Sequence, residues 1–80
     1  MDGEDAAAFA RRIITFVMGT APVLDGRDQC LRDIRNWDSM KHLQFILALE
    51  HEFDLTLAPE DIESLVTVGN VEDLARARTA

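Results

Sequence analysis

The apolar residues near the start of the chain recur with the spacing of an α-helix, and this pattern constrains the fold more than any other feature of the sequence. Four of them follow one another at positions i, i+4, i+7 and i+8, which lie on one helical face: Phe9, Ile13, Phe16 and Val17. They predict a first helix from Asp5 to Met18, which Gly19 and Pro22 then end. No alternation typical of a strand lasts long enough to predict one, so we expect an all-α fold.

Three further helices are predicted after a long loop that covers residues 19–37. Asp38 is a good N-cap for a second helix that starts at Asp38 or Ser39 and ends near Phe53. Pro59 fits the first position of a short third helix, and Asn70 is the expected N-cap of the fourth. The prediction is a four-helix bundle with a long loop between helices 1 and 2.

The long loop is expected to pack on the core through residues spaced three apart, which are Leu31, Ile34 and Trp37. Other core residues are predicted from the helical periodicity. They are Phe9, Ile13, Phe16, Ile46, Leu49, Phe53, Leu57, Ile62, Leu65, Val68 and Leu74.

Length and charge limit what the chain can do. Its 80 residues predict a single domain over 1–80, a monomer with flexible ends at about 1–4 and 77–80. The net charge of −7 disfavours nucleic acid as a partner and favours basic proteins. The single cysteine, Cys30, can form no internal disulfide, no apolar run spans a membrane, and we expect a cytoplasmic protein.

The second helix carries apolar residues on two faces. At 100° per residue, one broad stripe is predicted to face the core and contains Phe45, Ile46, Leu49 and Phe53. A second set contains Met40, Leu43 and Leu47. Either the helix is buried nearly all round, or this second set is a docking surface. Exposed apolar residues rimmed by polar and charged ones favour docking, and the rim here comprises Asp38, Gln44, Glu50 and His51.

The start of the second helix, Asp38-Ser39-Met40, resembles the Asp-Ser-Leu signature of acyl carrier proteins. The end of that helix, residues 46–53, is similar to the family's Leu-Glu-Glu-Glu-Phe segment. Residues 59–62 resemble the acidic start of its short third helix, and residues 65–71 resemble its Thr-Val-Gly-Asp segment. These motifs occur in the family's order over roughly residues 9–76.

This resemblance implies a carrier rather than an enzyme. Ser39 would hold a covalent 4′-phosphopantetheine arm, whose thiol bears an acyl group as a thioester. The implied partners are a phosphopantetheinyl transferase, an acyl- or aminoacyl-loading enzyme, and a downstream acyltransferase, synthase or thioesterase. An aminoacyl or peptidyl carrier and a fatty-acid carrier are the alternatives within the family. A helical adaptor without modification is the alternative outside it.

Two kinds of chemistry are disfavoured at the same residues. Ser39 and His42 lie three apart on a helix, but no oxyanion hole or pocket is evident for a hydrolytic triad with Asp38. His42 and His51 lie about 180° apart on the helix, so they cannot share a metal there. We therefore predict no catalytic and no metal-binding residues.

Several residues differ from the pattern of common fatty-acid carriers. Lys41 stands where that family has an acid, and Gln44 and His51 replace glutamates of the second helix. Trp37 resembles the residue before the motif in carriers of polyketide and nonribosomal pathways. A dedicated biosynthetic pathway of that type is the expectation, with Lys41 contributing to the choice of partner.

Overall fold

The structure is a computed structural model and describes residues 3–79. This part of the chain contains four α-helices. They are α1 (Gly3–Met18), α2 (Ser39–Phe53), α3 (Pro59–Ser64) and α4 (Val68–Thr79). A 3₁₀ turn at Leu31–Asp33 lies in the long loop between α1 and α2. The all-α prediction, with a long first loop and a short third helix, is confirmed.

The outer ends of α1 and α4 extend further than expected. α1 begins at Gly3 rather than Asp5, and Glu4 and Asp5 lie in its first turn, where the helix dipole favours acids. Residues 77–79, expected to be flexible, belong to α4. Residues 1, 2 and 80 lie outside the described part of the chain.

The limits of α2 follow from local chemistry at each end. Asp38 has extended backbone, and its carboxylate accepts a hydrogen bond from the Lys41 N–H at 2.8 Å, as an N-cap does. At the other end, Asp54 takes a left-handed conformation with φ of 52° and its N–H donates back to Glu50 and His51. Pro59 then occupies the first position of α3. These boundaries were predicted correctly.

The core lies where α1 packs against α2 and α4. Ala6 and Ala10 of α1 are fully buried, so small side chains allow the neighbouring helices to approach closely. α1 and α2 run antiparallel, since Phe9 stacks on Phe53 with ring centroids 5.1 Å apart while Met18 borders the same cleft as Lys41. The largest fully buried side chains are Ile14, Leu31, Phe45, Leu49 and Val71.

The prediction that Phe16 belongs to the core was wrong, because this side chain is 76% exposed. The buried arc of α1 runs from Phe9 to Ile14, about 140° at 100° per residue. Phe16 falls about 20° beyond the Phe9 edge of that arc. Three other predicted core residues are only partly buried and pack against the core, namely Phe53, Ile62 and Leu74.

The predicted N-cap of α4 was also wrong, because the helix begins three residues earlier. Thr67 is the cap, and its hydroxyl accepts the Asn70 N–H at 3.2 Å. The Asn70 side chain accepts the Thr67 N–H in return at 2.8 Å. This reciprocal capping box places Asn70 inside the first turn, so both residues satisfy backbone donors that a helix start otherwise leaves free.

The long loop is tied to the segment before α4 by backbone pairing. The Leu31 N–H donates to Val66 O at 2.9 Å and the Val68 N–H donates to Gln29 O at 3.0 Å, which flank an isolated antiparallel bridge between Cys30 and Thr67. Leu31 and Ile34 are buried and Trp37 is partly buried, as predicted. The loop therefore holds the start of α2 in a fixed position.

Arg27 adds a polar connection between this loop and α4. Its guanidinium lies 2.8 Å from the Asp73 carboxylate and 3.5 Å from that of the buried Glu72. Arg76 pairs with the same two acids at 3.7 and 3.8 Å. Arg27 and Arg76 thus pair with part of the acidic charge of α4 within the molecule.

None of the helices within residues 3–79 has the length and apolar character needed to cross a membrane.

Candidate functional site

Ser39 is the first residue of α2 and its side chain is exposed. The Asp38 carboxylate beside it is occupied by the Lys41 N–H. Within residues 3–79, the backbone N–H groups of Ser39 and Met40 have no acceptor, as is usual in the first turn of a helix. The Ser39 hydroxyl therefore lies at the positive end of α2, next to donors that are free to bind an anion.

The residue before the motif is anchored by aromatic contacts. The Trp37 ring meets the Phe45 ring edge-on at a centroid distance of 5.5 Å, and the His42 ring lies 6.0 Å from it. Phe45 is fully buried, so this contact fixes the last loop residues before α2. His42 packs among these rings at the edge of the core, as expected from its position on the helix.

A cavity of about 400 Å³ opens beside the serine and is lined by Arg32, Trp37, Asp38, Ser39 and His42. A second cleft of about 320 Å³ adjoins it and runs between the 3₁₀ turn, α2 and α3. Arg32 and His42 line both cavities, and the second cleft is otherwise mostly apolar through Leu31, Ile62, Leu65 and Val66. An anion and a short flexible chain could both be accommodated beside Ser39.

These residues fit a phosphodiester on Ser39. The serine oxygen is exposed, free N–H donors are adjacent, and an arginine lines the same cavity. The expectation that no pocket lies beside Ser39 was wrong, because this cavity is lined by Asp38, Ser39 and His42. Among the described residues, however, Ser39 makes no hydrogen bond to His42 or to Asp38. The part of the chain from residue 3 to 79 also contains no group of three or more His, Cys, Asp or Glu side chains that could hold a metal.

The second apolar face of α2 is open to solvent. Met40 is 62% exposed, Leu43 52% and Leu47 56%, so the helix is not buried all round. Gln44 and His51 are exposed beside them. The structure therefore brings together most of the docking residues that the sequence predicts.

Two of the predicted docking residues, Glu50 and Lys41, are half-buried rather than exposed. Glu50 is half-buried, and its carboxylate accepts the Leu57 N–H at 2.8 Å, which ties α2 to the loop before α3. Lys41 is half-buried and lines a cleft of about 600 Å³ with Arg35, a cleft that neither Ser39 nor Arg32 lines. Both still lie on the helix that begins at Ser39.

Phe16 extends the exposed apolar face, and the sequence interpretation missed it. It lines a groove of about 500 Å³ together with Val17, Gln44, Leu47, Ala48 and His51. The signal was present in α1, because Ile14 is also apolar and extends the apolar arc on the side away from Phe16. Including Ile14 in the predicted core would have placed Phe16 at the edge of the arc.

The chain resembles known proteins in sequence and in fold. No family model matches the chain. The chain is 36% identical over 44 residues to an acyl carrier protein from Exiguobacterium sp. (strain ATCC BAA-1283 / AT1b), a match that covers 55% of this chain and 56% of that protein. The match thus spans about half the length of that curated relative.

A solved structure is similar over nearly the whole chain. It is that of a candidate acyl carrier protein from Mycobacterium tuberculosis, with a TM-score of 0.75 and 28% identity, covering 90% of this chain and 96% of that one. Both similarities confirm the family resemblance that the motifs around Ser39 indicate.

Proposed function

We propose that this chain, a member of the acyl carrier protein family, holds an acyl group as a thioester on a 4′-phosphopantetheine arm attached to Ser39. The observation that carries the proposal is the exposed Ser39 hydroxyl at the N-terminus of α2, beside a cavity that an arginine lines. Relatives of this name are carriers rather than enzymes, so we assign no catalytic residue to the chain.

Attachment would join the Ser39 oxygen to a phosphorus of coenzyme A. The pyrophosphate bond breaks, adenosine 3′,5′-bisphosphate leaves, and the serine gives up its proton. The thiol of the arm supplies the thioester chemistry. Asp38 fixes the start of α2 through its bond to Lys41, and Trp37 anchors the preceding loop, so Ser39 is held at a defined point on the surface. A tethered cargo then meets each enzyme at high local concentration.

Partner enzymes would bind the exposed face of α2 formed by Met40, Leu43 and Leu47. Apolar residues rimmed by polar ones are typical of interaction sites, and this face begins one residue after Ser39. The rim comprises Asp38, Lys41, Gln44, Glu50 and His51. A phosphopantetheinyl transferase would be the first partner, followed by a loading enzyme and by a downstream acyltransferase, synthase or thioesterase.

We assign this carrier more narrowly to a dedicated biosynthetic pathway of the polyketide or nonribosomal type, in the cytoplasm. It rests on Lys41, Gln44 and His51, which make this helix less acidic than that of a general fatty-acid carrier, and on Trp37 before the motif. A reducing compartment keeps the thiol of such an arm free for acylation. Aminoacyl and fatty-acid cargo are the alternatives.

The thioester itself is tested by loading the chain from acetyl-coenzyme A with a transferase of broad specificity. The intact mass should rise by acetyl-phosphopantetheine. Neutral hydroxylamine should then remove the acetyl group alone, because it cleaves thioesters and leaves the phosphodiester on Ser39. An unchanged mass after the transferase reaction would contradict the proposal and favour the helical adaptor.

A further inference from the structure

We propose that Arg32 is the counter-cation of the phosphodiester on Ser39 and so positions the base of the arm. The inference rests on the proposed function, since it concerns the group attached to this serine. Its starting observation is that Arg32 and Ser39 line the same cavity of about 400 Å³, although seven residues separate them in sequence.

The charge of Arg32 is not used elsewhere in the described structure. The ion pairs within residues 3–79 involve Arg27 and Arg76, and Arg32 forms none. Asp38 borders the same cavity and Glu63 borders the adjoining cleft, yet neither pairs with Arg32. An arginine stays charged at any pH the protein meets, so a phosphodiester attached to Ser39 would add a permanent anion opposite an unpaired permanent cation.

The backbone of Arg32 is held in place, which distinguishes it from an ordinary surface arginine. It lies in the 3₁₀ turn between Leu31 and Asp33, and Leu31 and Ile34 on either side are buried in the core. The Leu31 N–H is also bonded to Val66 O at 2.9 Å. The side chain therefore starts from a fixed point near the cavity, and less freedom is lost when it pairs with an anion.

The chain provides a matched control in Arg35. It is also exposed and makes no ion pair within residues 3–79, but it lines the cleft with Lys41 rather than the cavity at Ser39. Arg32→Gln and Arg35→Gln make the same change in net charge. If only the loss of one positive charge matters, the phosphodiester should respond equally in both variants. If Arg32 pairs with it specifically, the phosphodiester should respond in Arg32→Gln alone.

The test is ³¹P NMR of the loaded chain, with the phosphodiester resonance compared among wild type, Arg32→Gln and Arg35→Gln at low salt. We expect the resonance to move in Arg32→Gln and to stay at its wild-type position in Arg35→Gln. Salt of about 1 M, where the Debye length is about 3 Å, should move the wild-type resonance toward that of Arg32→Gln. The Nε–H signal of Arg32 should also shift between the unloaded and loaded chains.

The outcomes separate this inference from the function it rests on. A wild-type chain that takes up no arm overturns both. A chain that is loaded normally, but whose phosphorus resonance is the same in all three proteins or moves equally in both variants, overturns the role of Arg32 alone. Circular dichroism and thermal midpoints of both variants should match wild type, because both side chains are exposed.

Discussion

The Asp38 carboxylate accepts the Lys41 N–H at 2.8 Å, so the acid before Ser39 holds the first turn of α2 together. The same acid borders the cavity at Ser39. One residue of the motif thus serves the fold and the site, and variants can separate the two roles.

Asp38→Ala should lower the free energy of unfolding by about 0.5–2 kcal/mol, because the cap is lost. Asp38→Asn should keep the stability, since asparagine caps equally well, while slowing arm attachment through the loss of the charge. Urea denaturation and the initial rate of mass gain measure the two effects. If Asn destabilises as much as Ala does, the carboxylate has a role in the fold beyond the cap.

A pair of phenylalanines tests the observed core. Phe45→Ala should lower the free energy of unfolding by about 3–5 kcal/mol, because the side chain is fully buried. Phe16→Ala removes the same atoms from a side chain that is 76% exposed, and the change should stay within about 0.5 kcal/mol. Chemical denaturation of both variants decides this, and equal losses would mean that Phe16 is buried in solution.

These residues show what sequence reasoning can reach. Local signals at Asp38 and Pro59 fixed the starts of α2 and α3, because an N-cap and a proline at the first position act through their own backbone. The periodicity of α2 also separated the buried Phe45 from the exposed Leu47. The assignment of Ser39 as the site rests on the motif around it, which is contiguous in sequence, and it stays a prediction.

What was missed depends on packing between segments that are distant in sequence. Phe16 was misplaced because α1 buries the arc from Phe9 to Ile14 against α2 and α4, and this arc leaves Phe16 outside. The start of α4 was misplaced because Asn70 satisfies the backbone of Thr67 as well as being a common cap residue. Arg32 lines the cavity at Ser39 from a loop that pairs with residues 66–68, and no local pattern encodes that pairing.

Leu47 and Val23 test the docking surface. Both are exposed aliphatic residues, at 56% and 90%, but only Leu47 lies on the apolar face of α2. Leu47→Ala should slow arm attachment at sub-saturating transferase without changing the thermal midpoint, and Val23→Ala should change neither. Equal attachment rates for Leu47→Ala and wild type would remove this face from the proposal.

Lys41 is predicted to select among partners. It lies in the first turn of α2, where the dipole disfavours a cation by about 0.3–1 kcal/mol. A residue that opposes local stability is a candidate for a functional role. Lys41→Asp should raise turnover with a fatty-acid type of enzyme, lower it with the cognate one, and do both less at high salt. The turnover of Lys41→Gln with each enzyme should lie between the turnover of wild type and that of Lys41→Asp. Equal responses of the two enzymes would leave Lys41 as a surface residue only.

The central claim is that Ser39 carries the arm, and the intact mass after incubation with coenzyme A and a phosphopantetheinyl transferase tests it most directly. The chain has only two serines, and Ser64 serves as the control because its hydroxyl donates to Asp61 O at 2.8 Å, away from the cavity. Wild type and Ser64→Ala should gain the mass of one phosphopantetheine, and Ser39→Ala should gain none. A gain in Ser39→Ala, or no gain in wild type, would contradict the account.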